Sequence, residues 1–169
     1  GLGLANAIEK AASPGLEFAE IRFNPSGSAM ILMGSKNQGQ GHETIFRQIV
    51  AERLGIDPSD IQYIDGDTDR VAFGIGTNGS RSTVIGGSAL WQAAGKIIEK
   101  GKRIAAHFME ADGGDIDFAA GAFTVTGTDR SMSLEDIAKS AFMHAKLPPG
   151  LEGGLFETST LSPDANTLP

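Results

Sequence analysis

The sequence contains no cysteine. That absence excludes a disulfide framework, a thiolate metal site and a cysteine nucleophile, and it fits a reducing compartment. Histidine is almost as scarce. His42, His107 and His144 are well separated and unpaired, so a zinc centre is not expected. Positive charge is short as well: 14 Lys and Arg stand against 21 Asp and Glu, a formal net charge of -7. That balance argues against nucleic acid as a partner, because phosphate backbones recruit basic surfaces. No uncharged apolar run approaches a membrane span, so a soluble protein is expected. Gly1-Leu2-Gly3-Leu4-Ala5 lacks the charged start and long apolar run of a secretory signal. The first residue is not Met and the last four are Asn166-Thr167-Leu168-Pro169, which suggests a segment of something longer.

What the chain has in excess is glycine: 23 of 169 residues, about twice average usage. The glycines are scattered through patterned sequence, so they mark turns and close backbone contacts. Two clusters stand out. Gln38-Gly39-Gln40-Gly41-His42-Glu43-Thr44 and Gly74-Ile75-Gly76-Thr77-Asn78-Gly79-Ser80-Arg81-Ser82 each run directly into a helical pattern. Glycine lets backbone approach a ligand closely, and a helix start leaves N–H groups free to bind an anion. Arg81 adds a planar, always-charged fork suited to phosphate, beside the hydroxyls of Ser80 and Ser82. The pair of turns points to a site for a large phosphorylated cofactor.

The chain is one domain in length. Phe18–Phe23 alternates as a half-buried strand, Asn24-Pro25-Ser26-Gly27 is a turn, and Ala29–Met33 is the returning strand of a hairpin. From His42 the period is helical: Ile45, Phe46, Ile49, Val50 and Leu54 share one face, and Gly55 is placed as a left-handed C-cap. Residues 60–64 form a further strand. A long helix begins at Ser80 or Thr83 and ends near Ala111, with Leu90, Ala93, Ala94, Ile97, Ile104, Ala105 and Phe108 as its stripe. Phe118–Thr126 is a small hairpin about Gly121. Ser133 caps a last helix, with Asp136 in the capping-box position and Ile137, Ala141 and Phe142 inward. Residues 151–169 read as an irregular linker. The fold expected is α+β: a mixed sheet with hairpins packed against two to three helices, one of them long.

Three familiar motifs fail on their spacing. Gly74-Ile75-Gly76-Thr77-Asn78-Gly79 is formally G-x-G-x-x-G, but a long acidic loop precedes it, and the acidic residue due about 20 positions on is Glu99, inside the helix. Asp65, Asp67 and Asp69 alternate like a calcium loop. Arg70 stands where Gly is required and Gly76 where a bidentate Glu belongs, so the plain reading is a solvated acidic loop. His42-Glu43 lacks the second His of a zincin helix; Phe46 stands there. His42 differs from the other histidines in sitting at a helix start beside Gln40, where its ring could hydrogen-bond a ligand.

In order, Gly39-Gln40-Gly41-His42-Glu43-Thr44, Gln48-Ile49-Val50-Ala51, Leu54-Gly55-Ile56, Gly66-Asp67-Thr68-Asp69 and Gly76-Thr77-Asn78-Gly79-Ser80-Arg81-Ser82 make one block. The block resembles the large, molybdenum-binding subunit of the xanthine dehydrogenase, aldehyde oxidase and aerobic carbon monoxide dehydrogenase family, in particular its bacterial carbon monoxide dehydrogenase-like branch. The resemblance implies a molybdopterin cofactor-binding domain over residues 1–150, in a cytoplasmic molybdenum hydroxylase. Gln38, Gly39, Gln40, Gly41 and His42 would line one side of the cofactor, and Thr77, Asn78, Gly79, Ser80, Arg81 and Ser82 the other. The cofactor implied is molybdenum-molybdopterin cytosine dinucleotide, with FAD and two-iron two-sulfur clusters on partner subunits. The partners implied are the remainder of the large subunit, an FAD-binding medium subunit and an iron–sulfur small subunit, as a dimer of heterotrimers. The family's Phe-Gly-Gly segment and its late Gly-x-Gly-Glu base have no match, so no catalytic residue and no metal ligand is assigned, and the segment alone is expected to be inactive. The competing readings are a stand-alone nucleotide- or phosphate-binding module and a purely structural domain.

Overall fold

Alternating apolar residues in two short stretches build the centre of the molecule. The computed structural model describes residues 1–163. Strand β1 (Glu17–Phe23) turns back through residues 24–28 into β2 (Ala29–Met33), the hairpin expected from the sequence. Ala19, Ile21 and Phe23 of β1 and Ala29, Ile31 and Met33 of β2 point to one buried face. Helix α1 (His42–Leu54) follows, buries Phe46, Val50 and Leu54, and ends on Gly55 at φ 65°. The chain then enters β3 (Ile61–Asp65), parallel to β2, so β2, α1 and β3 form a βαβ unit. Ile45, expected on the inner face of α1, is exposed.

Helix α2 (Gly87–Phe108) packs against the sheet and α1 through Ala89, Leu90, Ala93, Ala94, Ile97, Ile104 and Ala105. The sequence places the start of this helix at Ser80 or Thr83, but Ser82–Gly86 instead form a π-helical turn that leads into it. Beyond α2 come β4 (Ile116–Ala119), β5 (Ala122–Val125) and β6 (Ser131–Ser133), a three-stranded antiparallel sheet. Helix α3 (Leu134–Ser140) starts on the expected cap, with Asp136 N–H donating to Ser133 Oγ at 3.0 Å. Phe142 lies past the end of α3 and is exposed, not inward as expected.

The last strand, β7 (Phe156–Leu161), corrects the reading of residues 151–169 as linker; the part of that reading beyond residue 163 lies outside the described residues. β7 pairs antiparallel with β1 and completes a mixed sheet of order β3-β2-β1-β7. Its sequence, Phe-Glu-Thr-Ser-Thr-Leu, carries little apolar signal because an edge strand is held by backbone pairing. Ser159, its buried residue, donates to Gln92 Oε1 of α2 at 2.9 Å. The architecture is α+β with two sheets and one long helix, as expected.

Gly55 joins the halves of this architecture. A Cβ there would run into Ala120 Cα at 2.6 Å and the Gly121 amide of the β4–β5 turn, and its φ already favours glycine. Gly95, within α2, has open space around it. Gly55→Ala is therefore expected to lower stability by about 2 kcal/mol or more, while Gly95→Ala raises it by about 0.5–1 kcal/mol. Urea unfolding of both variants checks the contrast, and equal effects would refute it.

Candidate functional site

The carboxyl ends of the parallel strands β2 and β3 lie at one edge of the sheet, together with the start of antiparallel β1. Ligands in open α/β sheets collect outside such strand ends. The first glycine turn leaves β2 here, and the chain through the second leaves β3. Several contacts hold them together. The Asn37 N–H donates to Asp65 Oδ2 at the end of β3, and Tyr63 Oη donates to the same oxygen at 2.7 Å. Thr77 Oγ1 donates to the Lys36 carbonyl, linking the second turn to the entrance of the first. Gly34 and Gly74 touch backbone to backbone: a Cβ on Gly34 would fall 2.9 Å from Gly74 Cα. The segment before β1 closes over the second turn, with Ala12 N–H donating to Ser80 O at 3.2 Å and Ser13 N–H to Gly79 O at 3.1 Å.

The glycines here are of two kinds. Gly34, Gly74 and Gly79 are packed, and a Cβ on any of them would strike a neighbour. Gly39, Gly41 and Gly76 have positive φ, and a Cβ on any of them would meet nothing within 4 Å. Their backbone faces open space, as a cradle for a ligand requires. Gly41 is also the N-cap of α1, and no side chain caps that helix start, leaving its first N–H groups for another acceptor. Gln38 and Gln40 are exposed, and Gln40 Oε1 accepts the Gln38 N–H, so its amide NH2 group points to other partners.

In the second turn Asn78 and Ser80 are exposed, and Ser80 holds φ 52°, a left-handed conformation uncommon outside glycine. Ser82 is buried, its Oγ 3.4 Å from Thr77 Oγ1. Arg81 departs from the sequence reading. Its side chain is fully buried and turned inward: Nη1 donates to Glu17 Oε2 at 2.9 Å, Nη2 to Gly15 O at 2.6 Å and Nε to Ser13 O at 3.3 Å. The guanidinium that looked like a phosphate fork is engaged by Glu17 and the strap before β1. No charge pattern in the sequence pairs Glu17 with Arg81, since 63 residues intervene between them. Glu17 is the important residue that sequence reading missed.

His42 is 4% exposed, and its Nδ1 has no hydrogen-bond partner. The ring lies against Phe46, which stacks on Tyr63. Burial lowers the imidazole pKa from its ordinary 6.5, opposed more weakly by Asp65 and Glu17. A neutral imidazole with an unanswered nitrogen at a helix start suits a ligand that offers a hydrogen bond. Within the acidic loop Asp67 Oδ1 accepts the Asp69 N–H at 3.0 Å. Among the described residues no three His, Asp or Glu side chains gather as a metal site, and no helix is long and apolar enough to cross a membrane. A surface groove lies elsewhere, lined by Gln92, Lys96, Lys100 and Glu157 among others.

The molybdopterin cofactor-binding domain family matches residues 1–167. The chain is 43% identical over 151 residues to the carbon monoxide dehydrogenase large chain of Hydrogenophaga pseudoflava, covering 89% of this chain and 19% of that one. It is 33% identical over 135 residues to the xanthine dehydrogenase molybdenum-binding subunit of Escherichia coli O157:H7, covering 77% and 18%. A crystal structure of the Cu,Mo-CO dehydrogenase in its carbon monoxide reduced state matches with a TM-score of 0.87 at 38% identity, over 94% of this chain and 21% of that one. The chain spans about a fifth of the length of these relatives.

The buried imidazole gives the fold a pH signature. With its pKa lowered on folding, His42 binds fewer protons in the native state, so its contribution is complete above about pH 6.5 and is lost as pH falls toward the lowered value. Urea unfolding of the 169-residue chain at about pH 7.5 and about pH 5.5 is expected to show a smaller acid loss of stability in His42→Gln than in the parent. Equal losses would show that His42 titrates in the fold as it does in water.

Proposed function

The chain belongs to the molybdopterin cofactor-binding domain family, and on that premise we propose that its two glycine turns form one wall of the cofactor site. The observation that carries this reading is the pairing of open, positive-φ backbone at Gly39, Gly41 and Gly76 with the unanswered Nδ1 of buried His42. Free N–H groups at the start of α1 suit a phosphate or pterin oxygen, and the amide of Gln40 and the hydroxyl of Ser80 extend the same surface. Arg81 serves this site from behind, since its guanidinium is fully enclosed. The turns form an open surface here, which fits a site whose other wall comes from the rest of a large subunit.

The cofactor proposed is molybdenum-molybdopterin with a cytosine dinucleotide tail. When bound, it supplies the oxidation of a small substrate with oxygen drawn from water. The residues of this chain hold and orient it; none is assigned to the chemical step. The full assembly proposed is a cytoplasmic dehydrogenase of the carbon monoxide, aldehyde or xanthine type. Two-iron two-sulfur clusters and FAD on a small and a medium subunit would carry its electrons away, in a dimer of heterotrimers. No observation favours a stand-alone nucleotide-binding module.

Two alanine substitutions separate ligand contact from backbone strain. Gly41 (φ 84°) and Gly127 (φ 77°) both have open surroundings, but Gly127 lies in a remote hairpin turn. Each Gly→Ala change is expected to cost about 1–2 kcal/mol of stability. In the complete enzyme, only Gly41→Ala is expected to weaken cofactor retention, about tenfold if one backbone hydrogen bond is lost. Molybdenum and pterin content per folded protein is the measurement. Normal content in Gly41→Ala would remove the first turn from the site.

A further inference from the structure

Glu17 sits at the start of β1, fully buried, and no polar surface of it reaches solvent. Three segments converge on its carboxylate. Oε2 accepts from Arg81 Nη1 of the second turn at 2.9 Å and from Ser35 Oγ, just after β2, also at 2.9 Å. Oε1 accepts the Phe18 N–H at 3.1 Å. Gly34 packs so tightly against Oε1 that no Cβ could be added there. Arg81 in turn takes the carbonyls of Ser13 and Gly15, the strap that hydrogen-bonds Gly79 and Ser80. One carboxylate thus ties the root of the first turn, the second turn and the strap above it.

A buried ion pair is seldom more stabilising than an apolar pair of the same volume, while a half-broken one leaves an uncompensated charge. Stability alone is therefore a weak reason for a charged pair at this place. What the cluster does supply is direction: Arg81 donates from Nη1, Nη2 and Nε to three separate acceptors while Glu17 accepts from three donors, and few mutual orientations satisfy both. Each orientation sets where Ser80 and Gly34 lie. Ser80 is held at φ 52°, a conformation that persists only where its surroundings determine it.

We propose that Glu17 is a positioning residue for the cofactor wall, acting through Arg81 and Ser35 to hold the two glycine turns in one register. This inference rests on the cofactor reading given above. Glu17 touches no ligand; it fixes the distance between backbone groups that do. It follows that a change at Glu17 alters loading of the first turn, which Arg81 does not contact, as well as of the second. A purely structural role would instead reduce the amount of folded protein and leave each folded molecule fully loaded.

The test uses the complete enzyme carrying Glu17→Gln, which keeps the shape and removes the charge, and Ser35→Ala, which removes one hydroxyl. Molybdenum, pterin and released nucleotide are measured per folded protein, with folding scored by thermal melting. Hydrogen exchange of the apo form is followed at residues 38–42 and 74–82. The expected result is a loading defect of about tenfold in Glu17→Gln, a smaller one in Ser35→Ala, and faster exchange at both turns in each variant. If Glu17→Gln fails to accumulate, Ser35→Ala carries the decision through the same two readouts. Full loading per folded molecule, or faster exchange confined to the second turn, overturns the positioning role. A parent enzyme without molybdopterin would instead overturn the cofactor reading and be recognised as such before any variant is compared.

Discussion

A guanidinium buried without contact to water has to be answered by a carboxylate and by carbonyls, and the edge of the sheet that carries the glycine turns is arranged around that requirement. Arg81 has Glu17 and the carbonyls of Ser13 and Gly15 within hydrogen-bond reach, and Glu17 also takes Ser35. The strap that runs into β1, the exit from β2 and the loop before α2 are separate stretches of the sequence, and this cluster makes them neighbours. The placement of both glycine turns is then set by elements outside them.

Much of the fold is legible from periodicity. The β1–β2 hairpin, α1 with its Gly55 cap, β3, the stripe of α2, the β4–β5 hairpin and the Ser133 cap all follow from local residue patterns. What escapes is what local patterns do not encode. β7 is polar and held by pairing with β1, and β6 is three residues long. The π-helical turn at Ser82–Gly86 delays the start of α2 and directly follows the inward-anchored Arg81, whose long-range pairing has no sequence period.

The neighbourhood of the two glycine turns is legible in the sequence, the arrangement of their side chains less so. Both glycine clusters do lie at one edge of the sheet, linked through Thr77 and Lys36. Composition alone does not distinguish the open glycines at 39, 41 and 76 from the packed ones at 34, 74 and 79, because the difference is what stands opposite each. The side-chain chemistry of Arg81 suggests a ligand of phosphate. Its burial reverses that direction, and the open backbone at Gly39, Gly41 and Gly76 is what this edge turns outward.

The pairing of β1 with β7 sets Glu17 opposite Leu161. These residues are made at the two ends of the segment, so during synthesis β1 waits with an unpaired edge until the final strand emerges, on the order of ten seconds at ribosomal speed. Completion of the sheet accordingly waits for the whole Glu17–Leu161 stretch. The Glu17 cluster, at the β1 end that pairs with Leu161, gains its last strand neighbour only then.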